Sequence, residues 1–178
     1  MRAKPRIVII FLDIDGVLNS TEWAEERPPL GLIPPRLAQE ALEEERIDPS
    51  CVERLRHLVA ATGAQLVMSS TWRHRMAVPE FLRLFALYGW ADAPIIGVTP
   101  YIAGLTRGDE VQAWLLNNDY AGAYVCLDDD EDFRKGQLLV QTDRDVGLTN
   151  LDVARCLELL APALEDSVSE RPLRVLLR

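Results

Sequence analysis

Near its start the chain has an apolar, mostly β-branched run at residues 7–12, which leads directly into Asp13, Asp15 and Gly16. A segment that is apolar on both faces is typical of a central strand in a parallel sheet covered by helices on both sides. We therefore predict a central strand followed by a sharp, glycine-containing turn that carries two carboxylates. The simpler alternative is a capped strand-to-turn junction. An EF-hand is excluded because Val17 stands where its next ligand should be.

Strand patterns and helical patterns alternate along the rest of the chain. Further strands are predicted at residues 64–68, 95–98, 124–127 and 138–140, and helices at residues 49–62, 79–88, 107–117 and 150–160. Asp48 before Pro49, and Thr106 ahead of Asp109, are typical signals of helix starts. This alternation indicates right-handed crossovers and an α/β fold with a Rossmann-like, doubly wound parallel sheet.

The length of 178 residues fits one well-buried domain. Hydrophobic residues make up 48% of the chain and charged residues 26%, which is ordinary for a soluble globular protein. We assign residues 6–161 to the core of the domain and residues 162–178 to a C-terminal tail. Residues 19–47 form a short insert that is broken by prolines in its first part. Its charged segment, residues 37–46, is a candidate short helix.

The net charge and the cysteines of the chain bear on its binding partners and on its cellular compartment. A formal net charge of -9 does not favour nucleic acid as a partner, although residues 73–75 form a local basic patch. The three cysteines are far apart, which indicates free thiols in a reducing, cytoplasmic compartment. The apolar run at residues 7–12 is too short for a signal peptide or a membrane span. The sequence leaves the oligomeric state open.

Polar residues follow three of the predicted strands. The first strand leads into Asp13 and Asp15, the second into Ser69, and the fourth into Asp128 and Asp129. Ligands of an open parallel sheet bind beyond the carboxyl ends of its strands, so these side chains should converge. Carboxylates from two strands repel each other unless a cation separates them, and oxygen ligands favour Mg²⁺. An ordinary strand-end serine and a solvated acidic turn are the alternatives.

Two carboxylates at this spacing suit phosphoryl chemistry. One can attack phosphorus as a nucleophile, while the other protonates the leaving oxygen and later activates water. A metal ion, a hydroxyl and a cationic side chain would neutralise the oxygens of the transferring group.

With these motifs the sequence resembles the haloacid dehalogenase (HAD) superfamily, over residues 7–160. HAD phosphatases carry D-x-D-G at the first strand, Ser or Thr at the second, Lys or Arg before a later helix, and paired acids at the fourth. The segments at residues 11–19, 69–73, 107–111 and 147–149 resemble those of small HAD domains. Such domains are found alone in bacteria and phages and fused to RNA-repair proteins.

The resemblance implies a role for each of the strand-end residues. Asp13 would be the nucleophile, and Asp15 the acid/base whose backbone carbonyl also binds the metal. Ser69 would contact the phosphoryl group, and Asp129 with Asp128 would complete the Mg²⁺ site. The presence of Asp15 further indicates a phosphatase, since a departing halide needs no proton.

The sequence departs from the family pattern at the cationic position. The usual lysine is replaced by the candidate Arg107, with Arg73 as competitor, and an arginine can clamp phosphate through two hydrogen bonds. Arg107 as an ordinary surface residue is the alternative. Gly16, Ser70 and Arg73 are assigned to substrate binding.

A second departure concerns the acidic motif. Phe133 stands where the family usually has a further acid, and Asp132 is the candidate substitute. Trp72 is interpreted as a packing residue, with a stacking platform for the substrate as the alternative. Neither gap between the motifs is long enough for a cap domain, so the resemblance implies a minimal cap or none and an open site.

The leading prediction is a magnesium-dependent phosphomonoester hydrolase that works through an aspartyl-phosphate intermediate. An open site admits nucleic-acid ends, nucleotides or phosphoproteins as phosphorylated substrates. One rival is a catalytically silent binding or regulatory module, which should have lost Asp13 or Asp15, yet both are present. The other is a phosphotransferase to an acceptor other than water, which generally needs a cap to exclude water.

Overall fold

The computed structural model describes residues 7–26 and 47–169. In these ranges one parallel sheet contains the strands β1 (Ile9–Leu12), β2 (Gln65–Met68), β3 (Ile95–Val98), β4 (Tyr124–Asp128) and β5 (Leu139–Gln141). Their order across the sheet is β3-β2-β1-β4-β5, and every neighbouring pair is parallel. The predicted α/β doubly wound sheet with β1 at its centre is therefore confirmed.

The described helices are α1 (Thr21–Glu26), α2 (Pro49–Thr62), α3 (Val78–Leu87), α4 (Arg107–Asn117) and α5 (Asn150–Ser169), with a 3₁₀ turn at Thr71–His74. The predicted start signals are confirmed. The Asp48 side chain accepts a hydrogen bond of 2.7 Å from the N–H of Ser50 ahead of α2. Thr106 and Asp109 exchange hydrogen bonds of 3.1 and 3.2 Å at the start of α4.

The last helix is longer than predicted. We expected it to end near residue 160, but α5 continues to Ser169 with Pro162 inside it. A proline inside a helix removes one backbone hydrogen bond and costs about 3 kcal/mol. The apolar stripe nevertheless continues past the proline, because Leu160 and Leu164 both pack on the core. The predicted tail is therefore helical as far as Ser169.

Part of the predicted insert falls outside the described residues. Helix α1 lies at the start of the insert, whereas the charged segment at residues 37–46 and the prolines before it lie outside the described ranges. Residues 170–178 do so as well.

Both faces of the sheet are covered by helices, as the apolar run at β1 predicts. Ile10 and Leu12 belong to a large apolar cluster with residues of α2, α3 and α5. Ile9 and Phe11 belong to a second cluster on the other face, where α4 packs. All three cysteines are buried and free. Among the described helices, none is both long enough and apolar enough to span a membrane.

Candidate active site

Three neighbouring strands bring their terminal residues to one edge of the sheet. Asp13 directly follows β1, and its N–H donates a hydrogen bond of 2.9 Å to the carbonyl of Leu127 in β4. Ser69 directly follows β2, and its N–H donates a hydrogen bond of 2.7 Å to the carbonyl of Leu12 in β1. Asp128 is the last residue of β4. The continuing backbone ladder thus fixes these residues side by side.

Asp13, Asp128 and Asp129 form an acid cluster at this edge. Each offers a carboxylate oxygen, and these oxygens lie within 4.8 Å of one another. Burial raises the pKa of Asp13, although the nearby Arg107 opposes this shift. Burial, and then the charge of Asp13, raises the pKa of Asp128 to about 8. Three charged carboxylates are therefore costly to keep together in the protein alone.

The acid cluster has the donor set that a hard divalent cation requires. Asp128 Oδ2 and Asp129 Oδ1 are buried and receive no hydrogen bond from the protein. Buried oxygens without donors are uncommon because their desolvation is not compensated. Carboxylate oxygens are also the ligands that Mg²⁺ prefers. The residues present therefore fit a magnesium ion.

Gly16 allows the first loop to close on this cluster. Its φ of +72° lies in the left-handed region, which favours glycine. A Cβ at this position would lie only 2.5 Å from Cγ of Asp129. Gly16 thus acts by leaving room for Asp129. The assignment of Gly16 to substrate binding stays a prediction.

Arg107, the first residue of α4, points its side chain into the same edge. Its guanidinium lies 3.3 Å from Asp13 Oδ2 and 3.4 Å from Asp128 Oδ2, and it donates to the backbone carbonyl of Ser69. Only 11% of the side chain is exposed, so the surface alternative does not hold. Arg107 therefore offers a cation next to the candidate nucleophile.

Asp132 lies outside the acid cluster. Its carboxylate accepts a hydrogen bond of 3.1 Å from the backbone N–H of Arg107, at the first turn of α4. Phe133 packs against the second apolar cluster. The suggestion that Asp132 replaces the missing acid is therefore wrong for this arrangement, because capping the helix directs its carboxylate elsewhere.

Arg73, the competitor for the cationic role, forms a buried ion pair. Its guanidinium bonds the carboxylate of Glu110, and both side chains are 5% exposed. It also donates a hydrogen bond of 2.8 Å to the carbonyl of Ser70. Burial lowers the pKa of Arg73, and the charge of Glu110 opposes that shift. The geometry therefore favours Arg107 over Arg73 as the phosphate contact.

The two serines after β2 have different surroundings. Ser69 is 1% exposed, and its hydroxyl has no hydrogen-bond partner in the protein. The Ser70 hydroxyl accepts a hydrogen bond of 3.4 Å from the N–H of Trp72 and donates one to Asp13, which lowers the pKa of that carboxyl. Of the two serines, Ser69 thus has the hydroxyl without a partner in the protein, and its contact with a phosphoryl group stays a prediction.

The Asp15 carboxylate is held apart from the acid cluster. Its Oδ1 accepts a hydrogen bond of 2.9 Å from the amide of Asn19, and its Oδ2 accepts one of 2.9 Å from the indole N–H of Trp72. A metal contact through the Asp15 backbone carbonyl stays a prediction. Trp72 is 3% exposed, which agrees with a packing residue and leaves no exposed face for stacking.

Arg144, in the loop after β5, is a charged neighbour that the sequence did not indicate. Its Nε lies 2.6 Å from Asp129 Oδ2, while 65% of the side chain is exposed. The charge of Asp129 raises the pKa of Arg144. An exposed cation is therefore paired with one member of the acid cluster.

The chain is similar to one described protein family and to one solved structure. Residues 9–153 match the family described as the HAD domain in Swiss Army Knife RNA repair proteins. A haloacid dehalogenase-like family hydrolase from Streptococcus pneumoniae is similar in structure, with a TM-score of 0.48 and 14% identity over 88% of this chain and 98% of that one. No curated protein matches the chain. The family match covers most of the sequence, and the chain therefore belongs to the HAD domains of the Swiss Army Knife RNA repair family.

Proposed function

We propose that the protein is a magnesium-dependent phosphomonoester hydrolase that forms an aspartyl phosphate on Asp13. Membership of the HAD family supports a function of the hydrolase type. The observation that carries the finer proposal is the position of Asp13, which lies in a buried acid cluster and also contacts Arg107. The Asp13 carboxylate therefore lies both in the acid cluster, which fits a magnesium ion, and next to Arg107, which can donate hydrogen bonds to phosphoryl oxygens.

The proposed reaction uses these side chains together with Asp15 and Ser69. An Asp13 oxygen attacks phosphorus, the ester P–O bond breaks, and Asp15 gives its proton to the departing alkoxide. Asp15, now a carboxylate, takes a proton from water, which attacks phosphorus and breaks the bond to Asp13. Arg107 and the Ser69 hydroxyl donate to the phosphoryl oxygens during both steps. Bound Mg²⁺ would supply further neutralisation of negative charge at the phosphoryl group.

The test is phosphate release by the purified protein from a panel of phosphomonoesters. The panel includes an aryl phosphate, nucleotides, sugar phosphates, phosphopeptides and 3'-phosphorylated oligonucleotides. We expect turnover that needs Mg²⁺, stops with EDTA and returns when Mg²⁺ is restored. Acid-quenched protein should retain phosphate in a form that hydroxylamine removes. Mg²⁺ binding without turnover on any member would instead support the silent regulatory module.

The panel also addresses the substrate class. The family description refers to RNA repair proteins, which makes nucleic-acid ends a candidate, whereas the net charge of -9 disfavours extended contacts with polynucleotides. Between β2 and α4 the chain forms only the 3₁₀ turn, α3, β3 and their connections, so no cap domain is inserted there. An open site therefore stays our expectation for the whole chain.

Replacing Arg144 with glutamine is expected to tighten Mg²⁺ binding by roughly threefold to tenfold, because an exposed cation no longer competes for Asp129. Isothermal titration with Mg²⁺ at low salt measures the effect. Arg134 is a matched control, because it is 53% exposed and pairs with Asp109, which lies outside the acid cluster. Equal affinity changes in R144Q and R134Q would show that the pair with Asp129 is irrelevant to the metal.

A further inference from the structure

The Asp15 carboxylate has a fixed donor on each of its two oxygens. We propose that Trp72 and Asn19 are positioning residues, which orient Asp15 for proton transfer to the leaving oxygen. This inference rests on the proposed function. It assigns Trp72 a role beyond packing, and it adds Asn19 to the residues on which the chemistry depends.

Asn19 is itself held in a single orientation. Its amide nitrogen donates to Asp15 Oδ1 at 2.9 Å, and its amide oxygen accepts a hydrogen bond of 3.0 Å from the N–H of Gly16. Flipping the amide would break both hydrogen bonds, because the donor and the acceptor would exchange places. The loop from Asp15 to Asn19 is therefore closed on itself around the acid/base carboxylate.

Trp72 fixes the other oxygen from a different part of the chain. It lies in the 3₁₀ turn after β2, 57 positions from Asp15, and its indole donates to Oδ2 at 2.9 Å. Trp72 is 3% exposed, and the guanidinium of Arg75 lies 4.9 Å from the centre of its ring. A buried ring has little freedom to rotate, so the direction of its N–H is fixed by packing.

These contacts connect the acid/base to the phosphate-binding side of the site. The same 3₁₀ turn begins after Ser69 and Ser70, and Ser70 bonds both Trp72 and Asp13. Proton transfer to a leaving oxygen requires a donor within hydrogen-bond reach and correctly aimed. The indole is a donor only, so it constrains Asp15 Oδ2 without taking the proton itself.

The competing interpretation is that Trp72 only fills the core. Trp72→Phe distinguishes the packing role from the positioning role, because it keeps an aromatic ring but removes the N–H. Trp90→Phe is the matched control, since Trp90 is also buried at 4% exposure and packs on Phe85, in the core. Asn19→Ala removes the second donor to Asp15, together with the acceptor of the Gly16 N–H, at a position that is only partly buried.

The experiment measures kcat/KM with Mg²⁺ for a series of phosphomonoesters whose leaving groups differ in basicity. Dinitrophenolate leaves without a proton, whereas an alkoxide needs one, so only the alkyl ester depends on the acid. For W72F and N19A we expect a loss of about tenfold or more on an alkyl phosphate. The loss on dinitrophenyl phosphate should be less than about threefold, and W90F should keep the wild-type pattern.

An equal loss on all substrates in both W72F and N19A would overturn the inference, because a structural defect does not depend on the leaving group. Wild-type rates in both variants would overturn it too. If W72F does not fold, the dependence of the loss in kcat/KM on the leaving group is judged from N19A alone. The proposed function fails separately, when the wild-type protein hydrolyses no member of the series, and the inference then fails with it.

Discussion

Replacing Asp13 with asparagine is expected to lower kcat for phosphomonoester hydrolysis by at least about 10⁴-fold, because a neutral amide does not attack phosphorus. The variant should fold, since its amide oxygen can still accept the hydrogen bond of 2.7 Å from the N–H of Ile14. It also removes one of the charges that raise the pKa of Asp128. We therefore expect unchanged or higher thermal stability together with lost activity.

The measurement combines phosphate release with thermal unfolding of the same samples. Asp119→Asn is the matched control, since Asp119 is exposed and has a φ of 47°, which asparagine tolerates well. Its activity and stability should equal those of the wild type. Activity of D13N within tenfold of wild type would show that another group attacks phosphorus.

The second large effect concerns stability and the buried Arg73–Glu110 pair. Replacing Glu110 with alanine is expected to lower the free energy of unfolding by about 3–5 kcal/mol, because Arg73 is left buried without its counter-ion. Glu110 also accepts a hydrogen bond of 3.0 Å from the N–H of Ile102, so the loop before α4 should loosen. Urea unfolding followed by circular dichroism measures the change.

An exposed pair provides the comparison for this stability effect. Glu53 and His57 are paired on α2 with 57% and 71% of their side chains exposed, and Glu53→Ala should cost less than about 1 kcal/mol. The double replacement of Arg73 by Met and Glu110 by Leu should recover most of the stability, since neither buried charge is then left alone. A similar loss in the free energy of unfolding for E110A and E53A would contradict the prediction.

Much of the fold follows from local sequence signals. The apolar residues of β1 cover both faces of a strand, and this alone indicates a central position in a parallel sheet. Asp48 and Thr106 mark helix starts through contacts with residues only two or three positions away. The end of α5 did not follow from a local rule, because the packing of Leu164 on the core outweighs the local effect of Pro162.

Some contacts of the candidate site can be predicted from the sequence, and others cannot. Asp13, Ser69 and Asp128 come together because parallel strands end at one edge, so their proximity follows from the topology. The pairing of Arg73 with Glu110 joins residues 37 positions apart, and nothing local distinguishes Glu110 from a surface residue of α4.

Two further contacts of the site could not be predicted from the sequence either. The bond between Trp72 and Asp15 and the pair of Arg144 with Asp129 each depend on which way a side chain points after packing. Residue type and spacing contain no such information. Asn19 was closer to being predictable, because it lies four positions after Asp15 in the same loop.

The close approach of Gly16 to Asp129 has an evolutionary consequence. Because a Cβ at position 16 would overlap the Asp129 side chain, the two positions are not free to vary independently. A larger residue at the first position would also lie only 2.7 Å from Cβ of Asp129, so residue 129 has to shift, and the shift moves a carboxylate of the acid cluster. This pair of positions therefore offers a simple marker for separating members of the family that retain a metal site from members that have become silent.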